Sequence, residues 1–149
     1  FGMVNASLGD LTKGLDYTDP IGHREIIDPF GLIYRNDGAR GHYGVDLKVL
    51  VGTPVQSVNG GEVVLMAADY SKEGNMVIIN HGLGVFSVYM HLSRIDVKKG
   101  EIVQSGQVIG LSGDTGAGVR EPHLHFGIKV LGSYVDPWVF METANEYLK

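Results

Sequence analysis

The chain has 149 residues, a net charge of −5, no cysteine, and 44% hydrophobic against 19% charged residues. This length supports one domain with a real core but hardly two, and the composition is that of an ordinary globular protein. The absence of a basic run counts against a nucleic-acid partner. No apolar run approaches the roughly 18 residues of a membrane span. Without cysteine, a metal ion can be held only by His, Asp or Glu.

Residues 1–25 show no regular hydrophobic period, and we interpret them as an irregular lead-in. No signal peptide is visible, and the chain begins with Phe1 rather than Met. We therefore expect a processed or cut piece of a longer protein, with an upstream domain or membrane anchor outside this chain.

From Ile26 onward the chain is a series of short stretches rich in Val, Ile, Leu, Phe and Tyr, each bounded by Gly, Asn, Asp or Lys. This pattern predicts an all-β fold, a compact antiparallel domain of hairpins. The 22 glycines favour many turns. Turns are predicted at NGG (59–61), NHGLG (80–84) and KKG (98–100).

The stretch VFSVYMHL at 85–92 alternates along its length. Val85, Ser87, Tyr89 and His91 are predicted to share the more polar face of a central strand, since side chains alternate along a strand. His91 is expected to project from that face.

The C-terminal sequence DPWVFMETANEYLK predicts a short helix, with Asp136 as its N-cap and Pro137 at its first position. We place the main domain at 26–140 and a C-terminal helical tail at 141–149.

One weak internal repeat joins VGTPVQSVNGGEVV and KGEIVQSGQVIGLSG. It resembles the half-barrel units of lipoyl and biotinyl carrier domains. A carrier needs a lysine at a hairpin tip, and neither hairpin has it. The repeat therefore indicates a fold, and a carrier function is disfavoured.

The first metal-binding pattern is GHYGVD, in which His42 and Asp46 are four residues apart. On a straight strand they would lie roughly 13 Å apart, at about 3.3 Å per residue. Gly44 between them permits a sharp bend. The two side chains can share an ion only if the chain bends there.

The second pattern is PHLHF, in which His123 and His125 are two residues apart. A strand places both imidazoles on one face, with Cα atoms roughly 6.6 Å apart. Either both bind one ion, or one binds while the other acts beside it, and the spacing leaves both arrangements open.

A lone histidine on a strand is usually a hydrogen-bonded structural residue, and we interpret His23 and His81 in this way. The pair in PHLHF, the His–Asp pattern and His91 together make a metal site the stronger hypothesis. Two histidines and a carboxylate are a usual ligand set for catalytic zinc, with a fourth position left for water. The rival interpretation is a carbohydrate-binding β domain whose histidines are structural.

As a set, HYGVD, YMHLS and PHLHF closely resemble the lysostaphin-type (LytM-like) zinc metalloendopeptidases, which are peptidoglycan hydrolases. The resemblance runs from about Ile26 to Trp138 and includes DPFG, GTPVQSVNGGEVV and VDPWVF. It implies one Zn²⁺ ion. Its ligands would be His42, Asp46 and His125, and the catalytic pair outside the metal shell would be His91 and His123. The implied fold is a compact antiparallel β domain with an open groove over the metal.

The activity implied by the resemblance is hydrolysis of peptide cross-links or stem peptides of bacterial peptidoglycan by a zinc-activated water. Two neutral imidazoles and one carboxylate leave the metal site with a charge of about +1, which lowers the pKa of bound water from roughly 15.7 toward 7. An imidazole suits both the base and the oxyanion donor. Which of His91 and His123 takes the proton stays open, as does the choice between a glycine bridge and a D-Ala–diaminopimelate cross-link.

Five further residues near these motifs have two interpretations each. Tyr43 and Tyr89 are assigned to packing first and to oxyanion donation second. Asp114, Arg120 and Glu121 belong either to the groove or to a solvated loop. Three departures from the family pattern, a longer loop DTGAGVRE, Glu121 and Gly127, bear on substrate fit rather than on metal binding.

Because peptidoglycan lies outside the cytoplasmic membrane, the resemblance implies a periplasmic, cell-wall-associated or secreted protein. The alternative function is a zinc-binding but catalytically silent regulator or scaffold of another cell-wall hydrolase. All five site positions are kept, which argues against it, but a groove blocked by residues 1–25 would produce it. That segment is a candidate for self-inhibition, for a linker or for a dimer contact.

Overall fold

The structure is a computed structural model that describes residues 16–31, 33–34 and 40–147. The described residues form thirteen β-strands and one C-terminal helix, which confirms the predicted fold class. The elements in chain order are β1 (Ile26–Asp28), β2 (Ile33–Tyr34), β3 (Arg40–Gly41), β4 (Val45–Lys48), β5 (Pro54–Gln56), β6 (Gly61–Tyr70), β7 (Gly74–Gly82), β8 (Val85–Leu92), β9 (Arg94–Ile95), β10 (Ile102–Val103), β11 (Val108–Leu111), β12 (His123–Val130), β13 (Ser133–Val135) and α1 (Pro137–Tyr147).

An antiparallel sheet of eight strands carries the site, in the order β1-β4-β12-β8-β7-β6-β10 with β13 also paired to β12. Strand β12 lies between β4 and β8. Its register sets His125 opposite Asp46 on one side and opposite Met90 on the other. These three side chains therefore share one face of the sheet, because directly opposed residues of an antiparallel pair point the same way.

The two faces of this sheet carry different side chains. One face packs the main core, where Leu47, Tyr89 and Phe126 are fully buried. Each such side chain contributes roughly 1.5–3 kcal/mol by leaving water. The other face holds a smaller apolar cluster that contains Phe86 and Val88, and His125 projects from this same face.

The two copies of the sequence repeat pair with each other. Strand β5 of the first copy pairs with β11 of the second, and β6 pairs with β10, with Gln56 opposite Val108 and Glu62 opposite Ile102. Strand β9 completes a three-stranded sheet with β5 and β11. Each strand of one copy therefore pairs with a strand of the other copy, and the two weakly similar segments form one unit.

Residues 16–25 pack against the domain. The backbone N–H of Tyr17 donates to Asn145 Oδ1 at 2.6 Å, and its carbonyl accepts from Asn145 Nδ2 at 3.0 Å. The guanidinium of Arg24 lies 4.3 Å from the ring centroid of the single tryptophan. This part of the predicted lead-in contributes to the core, and residues 1–15 lie outside the described residues.

The helix begins as the sequence predicts. Asp136 Oδ1 accepts from the backbone N–H of Trp138 at 3.0 Å, an N-cap bond worth about 1 kcal/mol. The helix runs unbroken through residue 140, the boundary predicted for a separate tail, and buries Met141 in the core. Among the described residues, no helix is long and apolar enough to cross a membrane.

The predicted turn at 80–84 is shorter in the structure. Strand β7 continues to Gly82, and the turn is confined to residues 83–84. The prediction that His81 lies in a turn is wrong, because His81 is a fully buried strand residue.

Candidate metal centre

Three atoms able to bind a metal ion converge at one point, two from the neighbouring residues His42 and Asp46 and one from the distant His125. The Nε2 atom of His42 lies 3.2 Å from Asp46 Oδ1 and 3.2 Å from His125 Nδ1, and His125 Nδ1 lies 2.9 Å from Asp46 Oδ1. Zinc bonds of about 2.0–2.1 Å at tetrahedral angles place ligand atoms about 3.3 Å apart. The observed triangle therefore has about the size of one face of a zinc tetrahedron. His42, Asp46 and His125 together form a group that could hold a metal ion.

The chain bends at Gly44, as a shared ion requires. A Cβ atom at Gly44 would come within 2.5 Å of the Phe126 carbonyl oxygen and 2.8 Å of His125 Nε2. A side chain at this position would push β4 away from β12. Glycine is needed here for close approach of the two strands as well as for the bend.

Other contacts orient the side chains of this triangle. The Nδ1 atom of His42 donates to the Pro29 carbonyl at 2.9 Å, which leaves the lone pair on Nε2. Burial by itself would raise the pKa of Asp46, but the neighbouring imidazoles of His125 and His42 hold that pKa well below its ordinary value. Asp46 thus carries a negative charge at neutral pH.

Two more imidazoles lie beside this triangle. The rings of His91 and His123 are 4.6 Å apart between centroids, and His123 Nε2 is 3.7 Å from Asp46 Oδ2. Each ring donates its Nδ1–H to a backbone carbonyl, His91 to Thr115 at 2.8 Å and His123 to Glu121 at 3.0 Å. Because a carbonyl can only accept, Nε2 carries the lone pair in both neutral rings. Burial, and then the nearby His123, lower the pKa of His91 to about 4.

His91 reaches the groove through a β-bulge. A two-residue step in β7 is matched by a three-residue step in β8, and His91 has a left-handed φ of 67°. Such a conformation costs a non-glycine residue roughly 1–2 kcal/mol. The prediction that His91 shares a polar face with Ser87 and Tyr89 is wrong, since those two are fully buried in the core while His91 lines the groove.

The groove has a volume of about 400 Å³. The lining includes the histidines His42, His91, His123 and His125, the larger side chains Met90 and Tyr134, and the small residues Ala117 and Gly118. The charged residues Lys72 and Glu73 also line it. These two were missed at the sequence level, because SKEG has the composition of a solvated turn and no spacing ties it to the histidines.

The other residues predicted to lie near the site differ in whether they line the groove. Tyr43 is 58% exposed beside the groove, with its ring 5.5 Å from that of Tyr134. Asp114, Arg120 and Glu121 are exposed and lie outside the groove lining. They belong to the solvated loop, which was one of the two predicted alternatives.

Tyr89 is a packing residue. Its hydroxyl accepts from the backbone N–H of Val58 at 3.0 Å and bonds the Ser87 hydroxyl at 2.8 Å. It is fully buried in the main core, and burial raises its pKa to about 12. The hydroxyl therefore has no access to the groove.

The antiparallel sheet brings two imidazoles and a carboxylate together at the spacing of one cation. Two more imidazoles lie beside them in a groove. This arrangement is that of a metallopeptidase domain. The model of peptidase family M23 matches residues 40–137, and the chain belongs to that family.

Two curated relatives illustrate the similarity. The chain is 46% identical over 95 residues to peptidoglycan DD-endopeptidase ShyA of Vibrio cholerae, covering 64% of this chain and 22% of that protein. It is 38% identical over 110 residues to lysostaphin of Staphylococcus staphylolyticus, covering 70% of this chain and 22% of that protein. The chain thus spans about a fifth of the length of either relative.

Solved structures share the fold. A zinc-containing peptidase from Vibrio cholerae superposes with a TM-score of 0.75 at 32% identity, covering 80% of this chain and 38% of that one. Lysostaphin from Staphylococcus simulans superposes with a TM-score of 0.68 at 30% identity, covering 98% of this chain and 55% of that one.

Proposed function

We propose that this chain is a zinc-dependent endopeptidase that hydrolyses peptide cross-links or stem peptides of bacterial peptidoglycan. The observation that carries the proposal is the triangle of His42, Asp46 and His125, with edges of 2.9 to 3.2 Å, beside the imidazole pair of His91 and His123. Membership of family M23 and similarity to a peptidoglycan DD-endopeptidase and to lysostaphin support it.

The zinc ligands in this proposal are His42 Nε2, Asp46 Oδ1 and His125 Nδ1. Two imidazole nitrogens and one carboxylate oxygen are a donor set that zinc prefers, and three protein ligands are usual where a fourth position serves catalysis. Zinc held by these residues would supply Lewis acidity and would lower the pKa of a bound water molecule. Asp46 suits the role because its low pKa keeps it charged.

His91 and His123 supply the proton transfers. With Nδ1 fixed to a carbonyl, each ring presents Nε2, which can take the proton of the attacking water and return it to the leaving nitrogen. The second ring, when protonated, can donate to the carbonyl oxygen as negative charge develops there. The 4.6 Å between the ring centroids lets both rings reach one scissile bond.

The groove suits an extended peptide with small side chains. Met90 provides an apolar part of the lining, and Ala117 and Gly118 are small lining residues that take little of its space. D-Ala and glycine, the small residues of peptidoglycan stems and bridges, fit such a groove. Residues 16–25 do not line it, so this described part of the lead-in leaves the groove accessible. Because peptidoglycan is extracytoplasmic, we place the protein in the periplasm, at the cell wall or outside the cell.

Digestion of purified sacculi tests the proposal. The protein with one equivalent of zinc should reduce cross-linked or stem-peptide muropeptides in chromatography with mass detection, and the product masses identify the cleaved bond. A chelator should stop the reaction, and zinc should restore it. If one zinc ion binds but the muropeptides stay intact, the chain is not an endopeptidase, and the regulator hypothesis replaces it.

A further inference from the structure

Thr115 connects His91 to both strands of the bulge. Its carbonyl accepts the His91 Nδ1–H at 2.8 Å. Its hydroxyl accepts from the backbone N–H of Asn75 at 3.1 Å and donates to the carbonyl of Leu92 at 2.7 Å. One residue of the β11–β12 loop thus contacts the imidazole and the backbone of β7 and β8.

The hydroxyl lies at the edge of the bulge. Asn75 and Leu92 are register partners, and the register shift begins directly after this pair. The side chain of Asn75 supports the same place, since its Nδ2 donates to the Leu92 carbonyl at 2.9 Å. The Leu92 carbonyl therefore accepts two side-chain hydrogen bonds. Leu92 directly follows His91, the residue with the left-handed backbone conformation.

The loop reaches this position because Gly116 has no side chain. A Cβ atom at Gly116 would lie 2.4 Å from the Lys72 carbonyl oxygen and 3.1 Å from His91 Nδ1, and the φ of Gly116 is 109°. The backbone next to Thr115 is therefore packed against the imidazole itself. A loop displaced by a side chain would lose its contact with His91.

We propose that Thr115 is a positioning residue for His91: its carbonyl fixes the ring, and its hydroxyl holds the bulge that turns the ring into the groove. This inference rests on the proposed peptidase function, in which His91 presents Nε2 to the reacting atoms. Without the hydroxyl, the left-handed conformation of His91 loses its support and the ring leaves its catalytic orientation.

The kinetic test uses Thr115→Val, which keeps the shape of the side chain and removes the hydroxyl. We expect kcat on a cross-linked muropeptide to fall about 10–100-fold, while KM and zinc content stay unchanged. Thr115→Ser should restore most of the rate. Thr53→Val is the matched control, because it removes a similar hydroxyl bond, 2.7 Å to the Leu50 carbonyl, at a residue outside the groove lining.

A double-mutant cycle separates positioning from a general loss of structure. If Thr115 acts through His91, Thr115→Val should cause no further loss in a His91→Ala background. A full additional 10–100-fold loss in that background would overturn the inference.

A readout without turnover keeps the two proposals distinguishable. In protein labelled with ¹⁵N-histidine, the His91 signal, assigned with His91→Ala, should show a protonated Nδ1 that exchanges slowly. Thr115→Val should accelerate that exchange. If the parent fails to cleave muropeptides, the proposed function fails and this spectrum still decides the positioning role. An unchanged spectrum together with an unchanged kcat would refute it.

Discussion

His81 and the groove histidines lie on opposite faces of the same sheet and use their ring nitrogens differently. His81 is fully buried on the core face, donates from Nδ1 to the Gly60 carbonyl at 2.7 Å and accepts at Nε2 from the Ser87 hydroxyl at 2.7 Å. The rings of His91 and His123 each donate Nδ1–H to a backbone carbonyl, so that the lone pair lies on Nε2. A histidine with both nitrogens bonded inside the protein is structural, and one that uses a single nitrogen for orientation keeps the other for chemistry.

The hydrogen bonds around His81 in the core form one chain in which every donor has an acceptor. The Val58 N–H donates to the Tyr89 hydroxyl, which can donate to Ser87, which donates to His81 Nε2. His81 then donates to the Gly60 carbonyl. Each donor has an acceptor, so the network joins the 58–60 segment to the sheet and needs a neutral His81.

Removing the charge of Asp46, a proposed zinc ligand, should have the largest effect. Asp46→Asn keeps the shape of the side chain but removes the negative charge between the two imidazoles. We expect zinc content to fall below stoichiometry and cleavage to fall to the level of the chelated parent, measured by metal analysis and sacculus digestion. Asp96→Asn, at an exposed aspartate paired with Arg94, is the control and should retain both properties. Full activity of Asp46→Asn would remove the carboxylate from the centre.

Removing a groove imidazole that we propose to lie outside the zinc shell should separate metal binding from cleavage. His91→Ala should keep one zinc ion and lose about 10²–10⁴-fold in kcat, the range for a lost general acid–base group. His123→Ala should do the same. His23→Ala, at an exposed histidine that only accepts from the Glu25 N–H, should leave both quantities unchanged. Loss of zinc from His91→Ala would place that ring in the metal shell instead.

Removing the His81 imidazole should lower stability rather than cleavage chemistry. His81→Phe leaves the Gly60 carbonyl without its donor and Ser87 without its acceptor. At about 1–3 kcal/mol for each buried unsatisfied group, we expect the free energy of unfolding in urea to fall by about 3 kcal/mol, with zinc content unchanged. His23→Phe should change it by less than about 0.5 kcal/mol. An unaltered free energy for His81→Phe would mean that the core network is dispensable.

The smallest expected effect is the pH dependence of the core histidine. Burial lowers the pKa of His81 to about 4, against about 6.5 in the unfolded chain. The unfolded state therefore binds the extra proton between pH 6.5 and 4, so the contribution of His81 is complete above pH 6.5 and is lost as pH falls toward 4. At pH 5 we expect a loss of about 2 kcal/mol relative to pH 7.

Urea unfolding of the zinc-free protein at pH 5 and pH 7 measures this loss. His81→Phe should show a correspondingly smaller difference between the two pH values, because the titrating group is gone. Equal pH dependence in parent and variant would assign the acid sensitivity to other groups.

The local parts of this fold were predictable because their causes are local. The two-residue period of a strand puts His123 and His125 on one face, and the structure has both in the groove. The cap by Asp136 depends on the next three residues alone. A shared ion requires a bend at Gly44, which a glycine in that position permits, and the structure bends there.

Other parts depend on neighbours that are distant in sequence. Tyr134 and Lys72 reach the groove from a late hairpin and from the β6–β7 turn, and no pattern in either stretch relates it to the histidines. The packing of Tyr17 against Asn145 spans 128 positions. Alternation along β8 gives the wrong face for His91, because it counts residues within one strand and a bulge is set by the partner strand.

The sequence by itself determined the antiparallel strands, the capped helix and the residue types able to hold a cation, since these follow from periods and contacts of a few residues. Tertiary structure alone decided which histidines became structural and which face the groove. That choice depends on whether each ring nitrogen meets a partner from another strand or loop, and such partners, like Thr115 for His91 at a separation of 24 residues, exist only once the chain has folded.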